Sequence, residues 1–243
     1  MASISARERL IVALDVPKVE DALALVQRLG PPVTFYKIGL ELVMQGGLDL
    51  ARELIRGRKQ VFLDMKLLDI ENTVERATRN AAATGATFLT VHAQDAKTLG
   101  AAMTGKAGTN LRILGVTVLT NLDASDIQQQ GIDAAPADLV ARRARLARDA
   151  GCDGVVASGQ EAGRVRAIVG PHMAIVTPGI RLPGDAADDQ ARITTPEQAI
   201  AAGADYVVVG RPIAAADDPV AAAELFERSI AAGLAKQAPT PQR

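Results

Sequence analysis

Eight times along the chain a short apolar run gives way to a stretch with apolar residues at helical spacing, and this alternation limits the fold more than any other feature. Leu10-Ile11-Val12-Ala13-Leu14-Asp15 precedes Val19, Ala22, Leu23, Val26 and Leu29, and Thr34-Phe35-Tyr36-Lys37-Ile38 precedes Leu48, Ala51 and Leu54. Val61-Phe62-Leu63-Asp64-Met65-Lys66-Leu67-Leu68-Asp69-Ile70 precedes Val74, Ala77 and Ala81. Thr87-Phe88-Leu89-Thr90-Val91 leads to a helical stretch near 95–104, and Arg112-Ile113-Leu114-Gly115-Val116-Thr117-Val118 to one near 136–150. Gly154-Val155-Val156-Ala157 precedes Ala162, Val165 and Ile168, while Met173-Ala174-Ile175-Val176 is followed by a long polar loop and a helix opening at Thr195-Pro196, a good N-cap and N1 pair. Ala204-Asp205-Tyr206-Val207-Val208-Val209 leads to Asp218-Pro219 and a helix through Leu225, Phe226 and Ile230.

Continuously apolar strands separated by helices are the mark of a parallel sheet covered on both faces. With no Gly-x-Gly-x-x-Gly turn after the first strand, eight such units predict a closed (β/α)8 TIM barrel rather than an open doubly wound sheet. Aromatic residues make up 2% of a chain that is 48% hydrophobic, so aliphatic side chains must fill the core, as they do in barrel interiors. No break in composition divides the chain. Residues 1–235 are expected to form one catalytic domain, with a frayed or disordered tail over 236–243, which is rich in Pro and Gln.

A net charge of -1 gives no general attraction to nucleic acid or to an anionic membrane, so any anion site must be local. The single cysteine, Cys152, rules out an internal disulfide and reads as buried packing before a strand. No Cys/His cluster has zinc spacing, no run reaches membrane-spanning length, and the N-terminus lacks the apolar core of a signal peptide. The expected address is cytoplasmic.

In a barrel of this kind the active site lies at the C-terminal strand ends. The polar residues at those ends are Asp15, Lys37, Asp64, Lys66, Asp69, His92, Thr117 and Thr120, together with the loops after the last two strands. Strand alternation sends Asp64 and Lys66 to the same face, with Asp69 just beyond, where a helix begins. Buried charges persist only when paired, so these residues are either a structural ion pair with Asp69 as helix N-cap, or a functional charge cluster. Pairing acids with lysines keeps both kinds ionised in a partly desolvated pocket, where an ammonium can donate a proton.

Thr177-Pro178-Gly179-Ile180-Arg181 follows strand seven and Gly210-Arg211-Pro212 follows strand eight, two positions that often bind phosphate in barrels. Gly210 lets a phosphate approach the backbone, and Arg211 can meet it with a bidentate fork. Arg181 either lines the pocket or lies on the surface. His92 is equally a core histidine or a site residue, and His172 beside Pro171 reads as surface.

Taken together, Leu14-Asp15-Val16, Tyr36-Lys37-Ile38-Gly39, Asp64-Met65-Lys66-Leu67-Leu68-Asp69-Ile70 with Thr73, Thr177-Pro178-Gly179-Ile180-Arg181 and Gly210-Arg211-Pro212-Ile213 resemble the orotidine 5'-phosphate decarboxylase family, in the family's order and over most of the chain. An Asp-x-Lys-x-x-Asp string also occurs in metal-dependent sugar-phosphate decarboxylases and hexulose-phosphate synthases of the same superfamily. Those relatives use a carboxylate after the second strand to help hold Mg²⁺, where this chain has Lys37, whose ammonium would repel the ion.

The resemblance implies decarboxylation of orotidine 5'-monophosphate to uridine 5'-monophosphate without metal or organic cofactor. Lys66 would protonate the C6 carbanion, Asp64 would stand beside the departing carboxylate, and Lys37 with Asp15 would hold the ribose hydroxyls. Asp69, Ile70 and Thr73 would complete the site of the partner subunit in a homodimer. Thr120 would lie near the base, although Asn121 follows it where the family usually has Ser. Pro178, Arg181, Gly210 and Arg211 would serve the substrate, and Gln190 would bridge pyrimidine and phosphate from a loop over residues 182–193. The alternatives are a Mg²⁺-dependent sugar-phosphate lyase on the same barrel and a non-catalytic nucleotide-binding barrel.

Overall fold

The computed structural model describes residues 4–184 and 193–237. The strands are β1 (Leu10–Ala13), β2 (Phe35–Gly39), β3 (Gln60–Leu67), β4 (Phe88–His92), β5 (Arg112–Val116), β6 (Gly154–Val156), β7 (Ala174–Thr177) and β8 (Tyr206–Val209). The helices are α1 (Val19–Leu29), α2 (Leu40–Val43), α3 (Gly47–Arg56), α4 (Glu71–Ala83), α5 (Ala96–Gly105), α6 (Ala124–Gln129), α7 (Pro136–Asp149), α8 (Ala162–Val169), α9 (Pro196–Ala201), α10 (Arg211–Ala214) and α11 (Pro219–Lys236). All the strands are parallel, and β8 returns to pair with β1 at Leu10↔Val207, which closes the (β/α)8 barrel.

Strand alternation produces two apolar layers. Side chains such as Val12, Tyr36, Ile38, Leu63, Leu89 and Val207 face outward and pack under the helices. Ile11, Phe35, Phe62, Phe88, Leu114 and Tyr206 face inward and fill the lower half of the barrel. Four of the chain's six aromatic rings meet there, with centroids 5.3 Å apart for Phe35–Phe88 and Phe88–Tyr206. This plug excludes water from the floor beneath the polar upper half.

Two equivalent clamps fasten the opposite, N-terminal rim. Asp153, just before β6, accepts the Ile113 N–H of β5 at 2.7 Å and pairs with Lys106 at 2.7 Å. Asp205, just before β8, accepts the Ile175 N–H of β7 at 2.8 Å and pairs with Arg166 of α8. Each carboxylate ties neighbouring strands to a cation from the outer layer.

Several local features depart from the sequence reading. β3 loses its regular alternation: the register shifts between Leu63 and Leu67, and Lys66 has φ +48°. Asp69 does not cap α4; Ile70 takes the N-cap position, and Asp69 Oδ1 accepts the Ile70 N–H at 2.7 Å. The short helices α2, α6 and α10 add to the eight expected units, α6 being held by reciprocal capping between Asp123 and Asp126. Thr195 caps α9 with Pro196 in its first turn, as its sequence leads one to expect. At the start of the expected tail, Lys236 pairs with Glu197 and the Gln237 side chain donates to the Ile200 carbonyl at 2.6 Å. The rest of the expected tail, 238–243, lies outside the described residues.

Candidate active site

The inward side chains change character two residues up β2, β3 and β4. Phe35 of β2 gives way to Lys37, Phe62 of β3 to Asp64, and Phe88 of β4 to Thr90 and then His92. Above the aromatic plug opens a cavity of about 560 Å³, lined by Asp15, Lys37, Asp64, Lys66, Thr120, Pro178, Arg181, Gly210 and Arg211 among others. Its volume suits a nucleotide-sized ligand.

A ladder of alternating charge crosses this cavity. Lys37 Nζ lies 2.8 Å from Asp15 Oδ1 and 3.6 Å from Asp64 Oδ2, and Lys66 Nζ lies 2.8 Å from Asp64 Oδ2. The Lys37 side chain is 9% exposed and that of Asp15 50%, so the ladder descends from the mouth to a desolvated centre. Gly39 leaves the room this requires: a Cβ there would fall 2.9 Å from Asp15 Oδ1 and 3.1 Å from Lys37 Nζ. Burial alone would raise the Asp64 pKa, but the Lys37 and Lys66 ammoniums and hydrogen bonds from Lys66 and Thr90 outweigh it, so Asp64 is held below the usual carboxylate range. The carboxylate at the centre therefore stays ionised, with a cation on either side.

Thr90 of β4 was not singled out in the sequence, where a threonine in a strand is unremarked. Its hydroxyl donates to Asp64 Oδ1 at 2.9 Å and accepts the Lys66 N–H at 3.0 Å. Only its place two residues above Phe88, on the inward face, could have marked it.

Arg181 is 6% exposed, its Nη1 donates to the Ile180 carbonyl at 2.9 Å, and it lines the cavity, which decides between its two sequence readings. Gly210 and Arg211 line the cavity beside it, at the end of the neighbouring strand β8. Thr117 is spent on structure, since its hydroxyl donates to the Val156 carbonyl at 2.7 Å. His92 is partly buried with Nδ1 unpartnered, and desolvation, then the charges of Arg143 and Lys66, lower its pKa, with Asp64 opposing. Burial, then Asp153, pushes the Cys152 thiol up to about 12, in keeping with a packing role. Gln190 lies outside the described residues.

Asp69, Ile70 and Thr73 do not join this cavity; all three are exposed beyond the end of β3. Ile70 is 73% exposed, and Leu68, Leu40 and Met44 at the ends of β3 and β2 are exposed as well.

The fold and the site define a class: a (β/α)8-barrel enzyme whose lumen carries alternating fixed charges. Residues 8–226 match the Orotidine 5'-phosphate decarboxylase / HUMPS family. The chain is 54% identical over 225 residues to an orotidine 5'-phosphate decarboxylase of Afipia carboxidovorans, covering 93% of this chain and 95% of that protein. It is 56% identical over 222 residues to one of Methylorubrum extorquens, covering 91% and 95%. The crystal structure of orotidine 5'-phosphate decarboxylase from Lactobacillus acidophilus superposes with a TM-score of 0.81 at 34% identity, covering 91% of this chain and 98% of that one. The chain belongs to the orotidine 5'-phosphate decarboxylase / HUMPS family.

Proposed function

We propose that residues 1–235 act as one catalytic domain that decarboxylates orotidine 5'-monophosphate to uridine 5'-monophosphate, in pyrimidine nucleotide biosynthesis. The observation that carries this reading is the Lys66 ammonium held 2.8 Å from a largely buried, ionised Asp64 at the cavity wall. The reaction breaks the bond between C6 of the pyrimidine and its carboxylate, and the electron pair stays on C6. No adjacent carbonyl is placed to delocalise it. A fixed ammonium meets both needs: it stabilises the developing charge and then delivers the proton that forms the C6–H bond. Lys66 is that donor, and solvent returns its proton after product leaves.

Asp64 accepts no new bond in this scheme. Already saturated by Lys66 and Thr90, it faces the substrate carboxylate as a like charge that departure of CO₂ relieves. Lys37, bonded to Asp15, carries the ladder toward the mouth, where the two would hold the ribose hydroxyls. Gly210 and Arg211, with Pro178 and Arg181 beside them after the paired strand β7, form the end that suits the phosphate, and Thr120 on the cavity lining would lie near the base.

The exposed apolar side chains of Leu40, Met44, Leu68 and Ile70 support a homodimer in which this surface is covered by a second copy. Each copy would lend Asp69, Ile70 and Thr73 to the other's cavity. Among the described residues no helix is long and apolar enough to cross a membrane. We place the enzyme in the cytoplasm, where its lone buried thiol is suited to reducing conditions.

The test is the loss of ultraviolet absorbance when orotidine 5'-monophosphate is added to the purified protein. Turnover unchanged by EDTA supports the reading; turnover abolished by EDTA and restored by Mg²⁺ would favour a metal-dependent lyase, against which the Lys37 charge argues.

A further inference from the structure

We propose that Thr90 is the positioning residue of this site, its single hydroxyl holding the Asp64 carboxylate and the Lys66 backbone together and so fixing where the Lys66 ammonium stands. The inference rests on Lys66 being the proton donor and deepens that reading.

The need for such a group arises in the backbone of β3. Between Leu63↔Leu89 and Leu67↔Val91 the chain advances four residues on β3 but only two on β4, so Asp64, Met65 and Lys66 leave the regular ladder with β4, while Asp64 still pairs with Gly39 of β2. Lys66 takes φ +48°, a left-handed conformation that a non-glycine residue adopts only under strain. Its N–H, turned away from the normal strand partner, is met instead by Thr90 Oγ1 at 3.0 Å.

The two bonds of the hydroxyl can run in only one direction. A backbone N–H is a donor and an ionised carboxylate is an acceptor, so the hydroxyl must accept from Lys66 and give its one proton to Asp64. Thr90 is fully buried, so water does not compete for either bond. Asp64 Oδ1 is engaged by Thr90, which leaves Oδ2 for the two ammoniums, at 2.8 Å from Lys66 and 3.6 Å from Lys37. The same hydroxyl therefore fixes the rotation of the Asp64 carboxylate and the strained backbone that carries Lys66. A serine preserves both bonds; a valine preserves the shape and loses both.

The experiment measures Thr90→Val and Thr90→Ser by steady-state kinetics with orotidine 5'-monophosphate, and by carbon-13 NMR of the Asp64 carboxyl in the substrate-free protein. Loss of hydrogen bonds to a charged group and to its catalytic partner should lower kcat of Thr90→Val roughly 10- to 100-fold with KM changed less than about threefold, because the substrate touches neither bond. Thr90→Ser should recover to within about threefold of wild type. The Asp64 carboxyl should titrate at higher pH in Thr90→Val than in wild type or Thr90→Ser. Thr90→Ala gives the same reading should the valine variant not fold. A kcat for the folded valine or alanine variant within about twofold of wild type, or a serine variant damaged as badly as valine, overturns the proposal. The NMR titration needs no turnover: an unshifted Asp64 refutes the role of Thr90, whereas failure of the wild type to decarboxylate refutes the assigned reaction.

Discussion

Lys66 Nζ stands 2.8 Å from Asp64 Oδ2 although the strand between them departs from regular alternation, with a register shift and a left-handed Lys66. The shared face of these residues is thus produced by a bulge and not by the pleat. The consequence is an ammonium, the proposed proton donor, whose position depends on a largely buried carboxylate on one side and on the backbone conformation on the other.

The first prediction concerns the phosphate. Arg211→Ala should cost about 2–5 kcal/mol in kcat/KM for orotidine 5'-monophosphate, as when a charge pair loses one partner on binding. Orotidine, which has no phosphate, should be turned over equally by variant and wild type. Comparable losses for both substrates would remove Arg211 from the phosphate site.

Assembly is tested by mixing subunits. Lys66→Ala and Asp69→Ala homodimers should each be nearly inactive. Refolding an equal mixture should restore about a quarter of wild-type activity, because half the dimers are mixed and each of those has one intact site of two. If Asp69 serves its own chain, every site carries one lesion and mixing restores nothing.

Acid should weaken the fold in a defined window. The His92 pKa is lowered by burial, so below about 6.5 the unfolded chain takes up a proton that the folded protein refuses. Stability present above that pH is lost as the pH falls toward the folded value. Asp64 acts in the same direction further down: its depressed pKa gives stability present above 3.8 and lost as the pH falls through the folded value. Denaturant midpoints at pH 7, 6 and 5 should fall for the wild type and fall less for His92→Gln. Parallel declines would exclude His92 as the cause.

The rim clamp gives a stability prediction that leaves the chemistry untouched. Asp153→Ala strands the Lys106 ammonium and the Ile113 N–H and should cost about 2–3 kcal/mol, a buried-pair penalty discounted for partial exposure. Adding Lys106→Met should recover part of that loss, since the stranded charge goes with it. Strict additivity in urea unfolding would show that the pair does not act as a unit.

The eight units were legible because the strands are mostly apolar runs and the outer helices carry apolar residues at helical spacing. Asp64 and Lys66 were legible for the opposite reason, as charges interrupting such a run. The bulge was not, because Asp64-Met65-Lys66 reads equally well as simple alternation. Thr90 was hidden by being a residue that strands favour anyway, and its value lies in a partner 26 positions away. The helices α6 and α10, of six and four residues, are too short to impose a period on the sequence. Asp69, Ile70 and Thr73 could be placed only by resemblance, since nothing in their own chain's cavity calls for them.

The most direct test is Lys66→Ala, assayed for turnover of orotidine 5'-monophosphate and, separately, for binding of uridine 5'-monophosphate. The expected result is near-complete loss of turnover with nucleotide binding largely intact, because the ammonium acts on charge that develops only during decarboxylation. Retention of more than about a tenth of wild-type turnover, a deficit under roughly 1.4 kcal/mol, would contradict the assignment of Lys66 as the proton donor.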